Sequence, residues 1–482
     1  MGFVGRSEEL KTLEYHASLG KFQMVVVYGR RRVGKTALIA HFCERHRTLW
    51  FTAKEQSAAA NLREFSQAVL TFFHEPNFPA GFANWNDALN YIADKATANP
   101  ADPFVFVLDE LPYAAATEPS LPSALQIAID HRFKETNILM VLCGSNEGFM
   151  ESKVLGYKSP LYGRRNAQIR LKPFDLFEAC RLMPPNADWQ TLIHYYAALG
   201  GTPYYLEQID PELTFAQNIQ TRCFSQNGIL YEEPMMLLRQ ELREPALYSS
   251  ILDAVGAGRT KPKEIAEYAG VDTNTVGSYL RTLEQLGIIE RLVPFGEDSN
   301  HSRKGLWKIK DPFFAYWYRF VSPATALVDT GYGQAAAASA TSGAVFDTYV
   351  GQQFETMCLQ WLLRQCREQR IDFLPTAFGK WWGNDPTARE QTDIDVVMTD
   401  SINHKVLLGE CKWREHLNET EAIDRLKARS PLIRENGERL YYLFTKRPTS
   451  TATATKTAAD HSLTIIDAAT MMQEALPDSG AK

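Results

Sequence analysis

Two groups of residues in this sequence have the types and spacing to do chemistry. The first is Gly29-Arg30-Arg31-Arg32-Val33-Gly34-Lys35-Thr36, which follows the apolar run Val25-Val26-Val27-Tyr28 and precedes the helix-like Ala37-Leu38-Ile39-Ala40-His41-Phe42. A short β-branched run is a buried parallel strand, and G-x-x-x-x-G-K-T between such a strand and a helix is a P-loop. Gly29 and Gly34 let backbone N–H groups curl around phosphates, and the helix N-terminus adds the positive end of its dipole. Gly29, Arg32, Val33, Gly34, Lys35, Thr36 and Ala37 are the expected nucleotide-binding turn. Lys35 is directed at the β- and γ-phosphates of ATP, and the Thr36 hydroxyl at Mg²⁺.

The same site needs acids. Phe104-Val105-Phe106-Val107-Leu108-Asp109-Glu110 is a buried strand whose last two residues emerge at its C-terminal end, the edge where open α/β sheets bind ligands. Asp109 is expected to hold Mg²⁺ and Glu110 to act as general base on the attacking water. Ile138 to Asn146 repeats this design, and Ser145 or Asn146 either senses the γ-phosphate from a neighbouring strand or caps the next helix. Arg6 and Leu10 either touch the nucleotide or belong to a plain N-terminal helix. Arg164 and Arg165, in Ser159-Pro160-Leu161-Tyr162-Gly163-Arg164-Arg165, either act on a phosphate, in cis or from a neighbouring subunit, or are simply solvated.

The second group lies near the other end. Thr392-Asp393-Ile394-Asp395-Val396-Val397-Met398 and Val406-Leu407-Leu408-Gly409-Glu410-Cys411-Lys412-Trp413 are both strand-like. A hairpin with its loop at 401–404 pairs Asp395 with Glu410 and Asp393 with Lys412, and alternation then puts all four on one face. Three acids and a lysine on one strand pair are costly as a mere fold element, because like charges repel. They make sense as a divalent-metal site: Asp395 and Glu410 ligate Mg²⁺ or Mn²⁺ and Lys412 positions the activated water.

These groups must be carried by several domains. A chain of 482 residues exceeds one ordinary core. With 45% hydrophobic and 22% charged residues it is globular rather than disordered. Its net charge of −6 provides no global attraction for nucleic acid, so any such contact needs a local patch. The seven cysteines are scattered without C-x-x-C spacing, as in reduced cytoplasmic proteins, and neither a signal-peptide pattern nor a membrane-length apolar run is visible.

The expected organisation is an α/β multidomain chain: a parallel-sheet P-loop domain over 1–173 and a helical lid over 174–245. A winged helix-turn-helix follows over 246–325, then a linker or exposed helix over 326–345 and a C-terminal α/β domain over 346–482. Within the lid, Gly200-Gly201-Thr202-Pro203 either faces the nucleotide or only breaks a helix. In the winged helix, Thr273 to Leu286 is the recognition helix, with Val276, Tyr279, Leu280, Leu283 and Leu286 inward and Asn274, Thr275, Ser278 and Arg281 outward. That outward face is not strongly basic, so both DNA and a protein partner are open.

The D…E-x-K pattern resembles the PD-(D/E)XK nuclease superfamily. Glu355, in Tyr349-Val350-Gly351-Gln352-Gln353-Phe354-Glu355, matches the acid that such nucleases often carry on their first core helix. Over nearly the whole chain, FVGRSEEL, GRRRVGKT, FVFVLDE, LCGSNEGFM, SPLYGRR and GGTPYYL resemble archaeal-type ATPases of the STAND/AAA+ assemblage. KDPFFAYWYRFV, YVGQQFE and GECKW are similar to their usual extension, a winged helix followed by a restriction-endonuclease-like domain of unknown function. The resemblance implies Mg-ATP binding at Lys35, Thr36, Asp109 and Glu110, and assembly into oligomers. It also suggests a nuclease acting on DNA in defence or mobile-element maintenance, with Glu355, Asp395, Glu410 and Lys412 catalytic. The alternative is an ATP-driven switch whose last domain is an inert docking module.

Overall fold

The structure is a computed structural model that describes residues 3–75 and 81–475. The chain divides into two compact units, Met1–Pro173 and Phe174–Lys482.

In the first unit, strands β1 (Gln23–Tyr28), β2 (Thr48–Thr52), β3 (Val105–Asp109), β4 (Leu139–Gly144) and β5 (Ala167–Arg170) form one sheet in the order β2-β3-β4-β1-β5. All four pairings are parallel. Parallel strands need crossovers, which the helices supply, so both faces are covered and the strands read as continuous apolar runs. Period-two alternation sorts them. Met24, Val26 and Tyr28 enter one core with Phe51, Phe65, Trp85 and Phe106. Val25 and Val27 enter the other with Val33, Leu38, Ile39 and Phe42. Each such side chain, once buried, contributes roughly 1.5–3 kcal/mol. Because β4 lies between β1 and β3, the ends of three strands converge on the turn that follows β1.

The second unit begins with helices, among them Trp189–Leu199, Phe215–Cys223 and Glu233–Glu241. The Gly200-Gly201 turn has a packing cause: a Cβ on Gly201 would lie 1.8 Å from the Phe174 carbonyl oxygen, and the Phe174 N–H donates to the Gly201 carbonyl at 2.8 Å. Helices Pro245–Gly256, Pro262–Ala269 and Thr273–Gln285 follow, then β6 (Ile289–Leu292) paired antiparallel with β7 (Leu306–Ile309). This is a winged helix-turn-helix. Val276, Leu280 and Leu283 are buried, whereas Asn274, Thr275, Ser278 and Arg281 are exposed.

Residues 331–345, whose composition suggests a linker or an exposed helix, contain a helix buried along one side. Gly333–Thr341 is a helix with Ala336, Ala337, Ala340 and Thr341 buried, and a Cβ on Gly333 would meet the Phe224 carbonyl oxygen at 2.0 Å. Small residues here allow close packing rather than flexibility.

The long helix Ala344–Arg367 then leads to a second sheet, β8 (Ala377–Asp385), β9 (Glu390–Asp400), β10 (Lys405–Lys412), β11 (Glu438–Thr445) and β12 (Leu463–Asp467), in the order β12-β11-β10-β9-β8. The first three strands are antiparallel, and a crossover helix, Glu419–Arg429, makes β11 parallel to β10. The hairpin turn falls at 401–404 as the spacing requires. Its ladder runs from Asp400–Lys405 to Val396–Gly409, so Asp395–Glu410 is the next pair in register. Strand β8 carries no alternation that sequence reasoning could use, and it went unanticipated.

Candidate functional site

The P-loop is shaped by three residues with positive φ: Gly29 at 152°, Arg32 at 71° and Gly34 at 90°. Gly29 is also sterically required, since a Cβ there would sit 2.3 Å from the Leu171 carbonyl oxygen. Helix α2 (Lys35–Cys43) starts at the end of this turn. Lys35 is only 5% exposed, and its ammonium donates to the Gly29 and Arg30 carbonyls at 2.8 and 2.9 Å. Val33 anchors the turn in the core, whereas Thr36 and Ala37 stay exposed at the helix start.

The acids follow from the strand order. Asp109, 2% exposed, accepts from Thr36 Oγ1 at 3.4 Å through Oδ2 and from the Glu110 N–H at 3.0 Å through Oδ1. Burial raises its pKa, and the neighbouring Glu110 charge adds to that, against the opposing hydrogen bond of Cys143 and the charge of Lys35. Glu110 takes a left-handed conformation, φ 51°, where the chain turns sharply from β3 into the next helix. Its Oε2 accepts from the Ser145 hydroxyl at 2.8 Å and the Ser145 N–H at 3.2 Å. Ser145 reaches it because β4 adjoins β3. Asn146 is committed elsewhere, its side chain capping the turn at Phe149 N–H, 2.8 Å away.

Three arginines are sorted by their partners. Arg6 is buried and donates to the Val33 and Lys172 carbonyls at 3.0 and 2.8 Å, which ties the P-loop to the segment after β5. Arg164 is held by both oxygens of Asp130, at 2.5 to 3.1 Å, and by the Pro160 carbonyl. Asp130 is correspondingly lowered to about 2, first by Arg164 and then by Lys134. Arg170, which sequence reasoning passed over, lies opposite Tyr28 in the ladder at the P-loop end of the sheet and pairs with Glu147 at 2.6 Å. Only the order of the strands could have pointed to it.

The C-terminal cluster brings Glu355, Asp393, Asp395, Glu410 and Lys412 together, but with two cations that were not foreseen. The ladder between β8 and β9 shifts register between Gly379 and Trp381, and Lys380 sits at that irregularity. Bulges re-aim side chains. Lys380 Nζ lies 2.9 Å from Glu355 Oε2 and 3.0 Å from both Asp393 Oδ2 and Asp395 Oδ1. Asp395 also accepts from the Cys411 N–H at 3.0 Å and faces Lys412 at 3.5 Å. Glu410 is bound by Lys412 at 2.5 Å and by the buried Arg429 at 3.0 Å. Burial pushes the Asp395 carboxyl up, yet Lys380, Lys412 and the Cys411 N–H together hold it below the usual range. Glu355 is raised, by burial and then by the Asp395 charge.

Among the described residues no group of three or more His, Cys, Asp and Glu side chains is arranged to hold a metal ion. Asp395 and Glu410, the expected metal ligands, share Lys412 as a partner, and their charge is answered by lysine and arginine. As arranged, they do not fit a divalent ion.

Among the described residues no helix is long and apolar enough to cross a membrane. Residues 3–209 match an ATPase domain found predominantly in Archaea. Residues 249–292 match an IclR helix-turn-helix domain, and residues 317–423 a family of archaeal and bacterial proteins of unknown function. An uncharacterized protein of Methanocaldococcus jannaschii is 29% identical over 413 residues, 86% of this chain and 88% of that one. An uncharacterized ATP-binding protein of the same organism is 52% identical over 42 residues, 9% of this chain and 71% of the relative. The Walker-type ATPase of Pyrococcus abyssi shares the fold at a TM-score of 0.52 and 21% identity, covering 66% of this chain and 96% of that structure. The front of the chain is thus similar to archaeal-type P-loop ATPase domains, and the segments after it are similar first to IclR-type helix-turn-helix domains and then to a family without assigned function.

Proposed function

We propose that the chain is a Mg-ATP-hydrolysing switch that engages DNA through its winged helix. The observation that carries this reading is the constellation at the P-loop: buried Lys35, Thr36 beside Asp109, and Glu110 oriented by Ser145. These residues fit the nucleotide and its ion. Gly29 and Gly34 at positive φ curl the turn, Lys35 supplies a buried cation, and Thr36 with Asp109 supplies the oxygen pair that would hold Mg²⁺. The ion supplies neutralisation of phosphate charge. Glu110 takes the proton of the attacking water, and the Ser145 hydroxyl fixes the carboxylate that receives it.

The test is ATP turnover and nucleotide binding measured side by side. Glu110→Gln is expected to lower turnover about 10²–10⁴-fold while retaining ATP binding. Lys35→Ala is expected to lose binding itself. A Glu110→Gln variant turning over at the wild-type rate overturns the assignment. For the DNA arm, Arg281→Ala is expected to weaken duplex binding and flatten its salt dependence. An unchanged salt slope assigns the winged helix to a protein partner.

A second reading, an ATP-gated nuclease, is favoured by one observation: the hairpin register that carries Asp395, Glu410 and Lys412 to one place beside Glu355. Cleavage of plasmid DNA with Mg²⁺ or Mn²⁺, lost in Lys412→Ala, is the outcome this reading requires.

A further inference from the structure

The C-terminal carboxylate cluster already contains its counter-ions. Lys380 Nζ is at hydrogen-bonding distance from oxygens of Glu355, Asp393 and Asp395, and Lys412 with Arg429 covers Glu410. Four carboxylates face three cations, so one negative charge is left over. A divalent ion bound by carboxylates sits about 2.0–2.6 Å from their oxygens. Its place among Glu355, Asp393 and Asp395 is the point that the ammonium holds, and the two cations would repel one another in a partly desolvated site.

Two further observations fix Lys380 there. Its backbone carbonyl accepts from the Phe295 N–H at 2.9 Å, and Phe295 belongs to the loop joining the two wing strands. The Phe295 side chain also packs with Trp381 on the core built around Ile394, Val397 and Leu426. Lys380 itself borders a cleft of about 550 Å³ that is shared with Lys308 and Trp307 of β7 and with Arg319, Gln352 and Trp382. The side chain is 27% exposed, so it has open space toward which to turn. Burial alone would lower its pKa, but Asp395, Glu355 and Asp393 raise it well above the usual lysine value, so it stays an ammonium.

We propose that Lys380 is a built-in cation that closes the Glu355–Asp393–Asp395 cluster to divalent metal, held in place by the wing of the winged helix. The inference rests on the nuclease-like reading of the C-terminal sheet only for the claim that a metal would bind once the lysine is gone.

The experiment is a Mn²⁺ titration of the nucleotide-free full chain, with unbound Mn²⁺ read by electron paramagnetic resonance. Lys35→Ala is present in every variant to silence the P-loop. Lys380→Met is expected to bind Mn²⁺ at least about tenfold more tightly than its parent, a difference of about 1.4 kcal/mol. Adding Asp395→Asn is expected to return affinity to the parent value. Thermal melting gives the second readout: Mn²⁺ raises the midpoint of Lys380→Met and leaves the parent unchanged. Should Lys380→Met fail to fold, Lys380→Gln keeps the length and a hydrogen-bond donor and is held to the same outcome. A parent that binds Mn²⁺ as tightly as Lys380→Met, in both cases through Asp395, overturns the closing role and leaves the nuclease reading standing. Absence of binding in both overturns the inference and removes the metal-dependent reading with it.

Discussion

The P-loop and the C-terminal cluster are built from the same materials, lysine and carboxylates at strand ends, and use them in opposite ways. At the P-loop, Lys35 donates to backbone carbonyls and leaves Asp109 to Thr36 and Glu110 to Ser145. Here Asp109 and Glu110 accept from neutral hydroxyl and backbone N–H donors. At the C-terminal sheet, lysine and arginine bind the carboxylates directly. Charge that is paired internally is stable but unavailable. Residue types alone do not separate these two arrangements; the donors that each carboxylate accepts from do.

The contrast can be broken at several points. Removal of Glu110 should show the largest effect, the 10²–10⁴-fold loss of turnover given above. Arg429 is buried beside Glu410 and also donates to the Asp393 carbonyl. Arg429→Ala should therefore destabilise the C-terminal unit by about 3–5 kcal/mol, because it leaves a buried carboxylate without one of its cations. Denaturant melts check this, and a loss below about 1 kcal/mol would place the pair among weak surface bridges instead.

Ser145→Ala removes a neutral donor to a charged acceptor, worth about 1.5 kcal/mol at its low end, so kcat should fall roughly tenfold with KM for ATP little changed. A rise in KM instead would make Ser145 a binding residue. The smallest effect concerns acid. Asp130 titrates at about 2 against an ordinary 3.8, so its contribution to stability is complete above that ordinary value and is lost as pH falls toward 2. Asp130→Asn should flatten the acid-unfolding curve in that window because it removes the contribution at neutral pH, lowering stability there by about 1 kcal/mol or less, as for a partly exposed ion pair.

Much of this was legible in the sequence, for local reasons. The P-loop declares itself because strand, glycines, lysine and helix are contiguous. The hairpin register could be read because one short polar turn and period-two alternation fix it. Ser145 was placed near the reaction centre by the end of its strand, but its bond to Glu110 depends on β4 lying beside β3, which no local pattern states. Lys380 could not be read at all. It sits in Ala-Phe-Gly-Lys-Trp-Trp-Gly-Asn-Asp, where no alternation marks a face, and the register shift beside it decides where its side chain goes. Arg429 comes from a helix brought over the sheet by the crossover. The buried side of the alanine-rich helix Gly333–Thr341 was hidden for a simpler reason. Small residues signal flexibility by composition, yet they also permit the closest packing.

The most direct test of the contrast is the number of Mn²⁺ ions held by the wild-type chain, counted with and without a non-hydrolysable ATP analogue. The account predicts one ion per chain with the nucleotide, lost in Lys35→Ala, and none without it. An ion held in the absence of nucleotide and released by Asp395→Asn would contradict it, because the C-terminal cluster would then be open to metal despite Lys380.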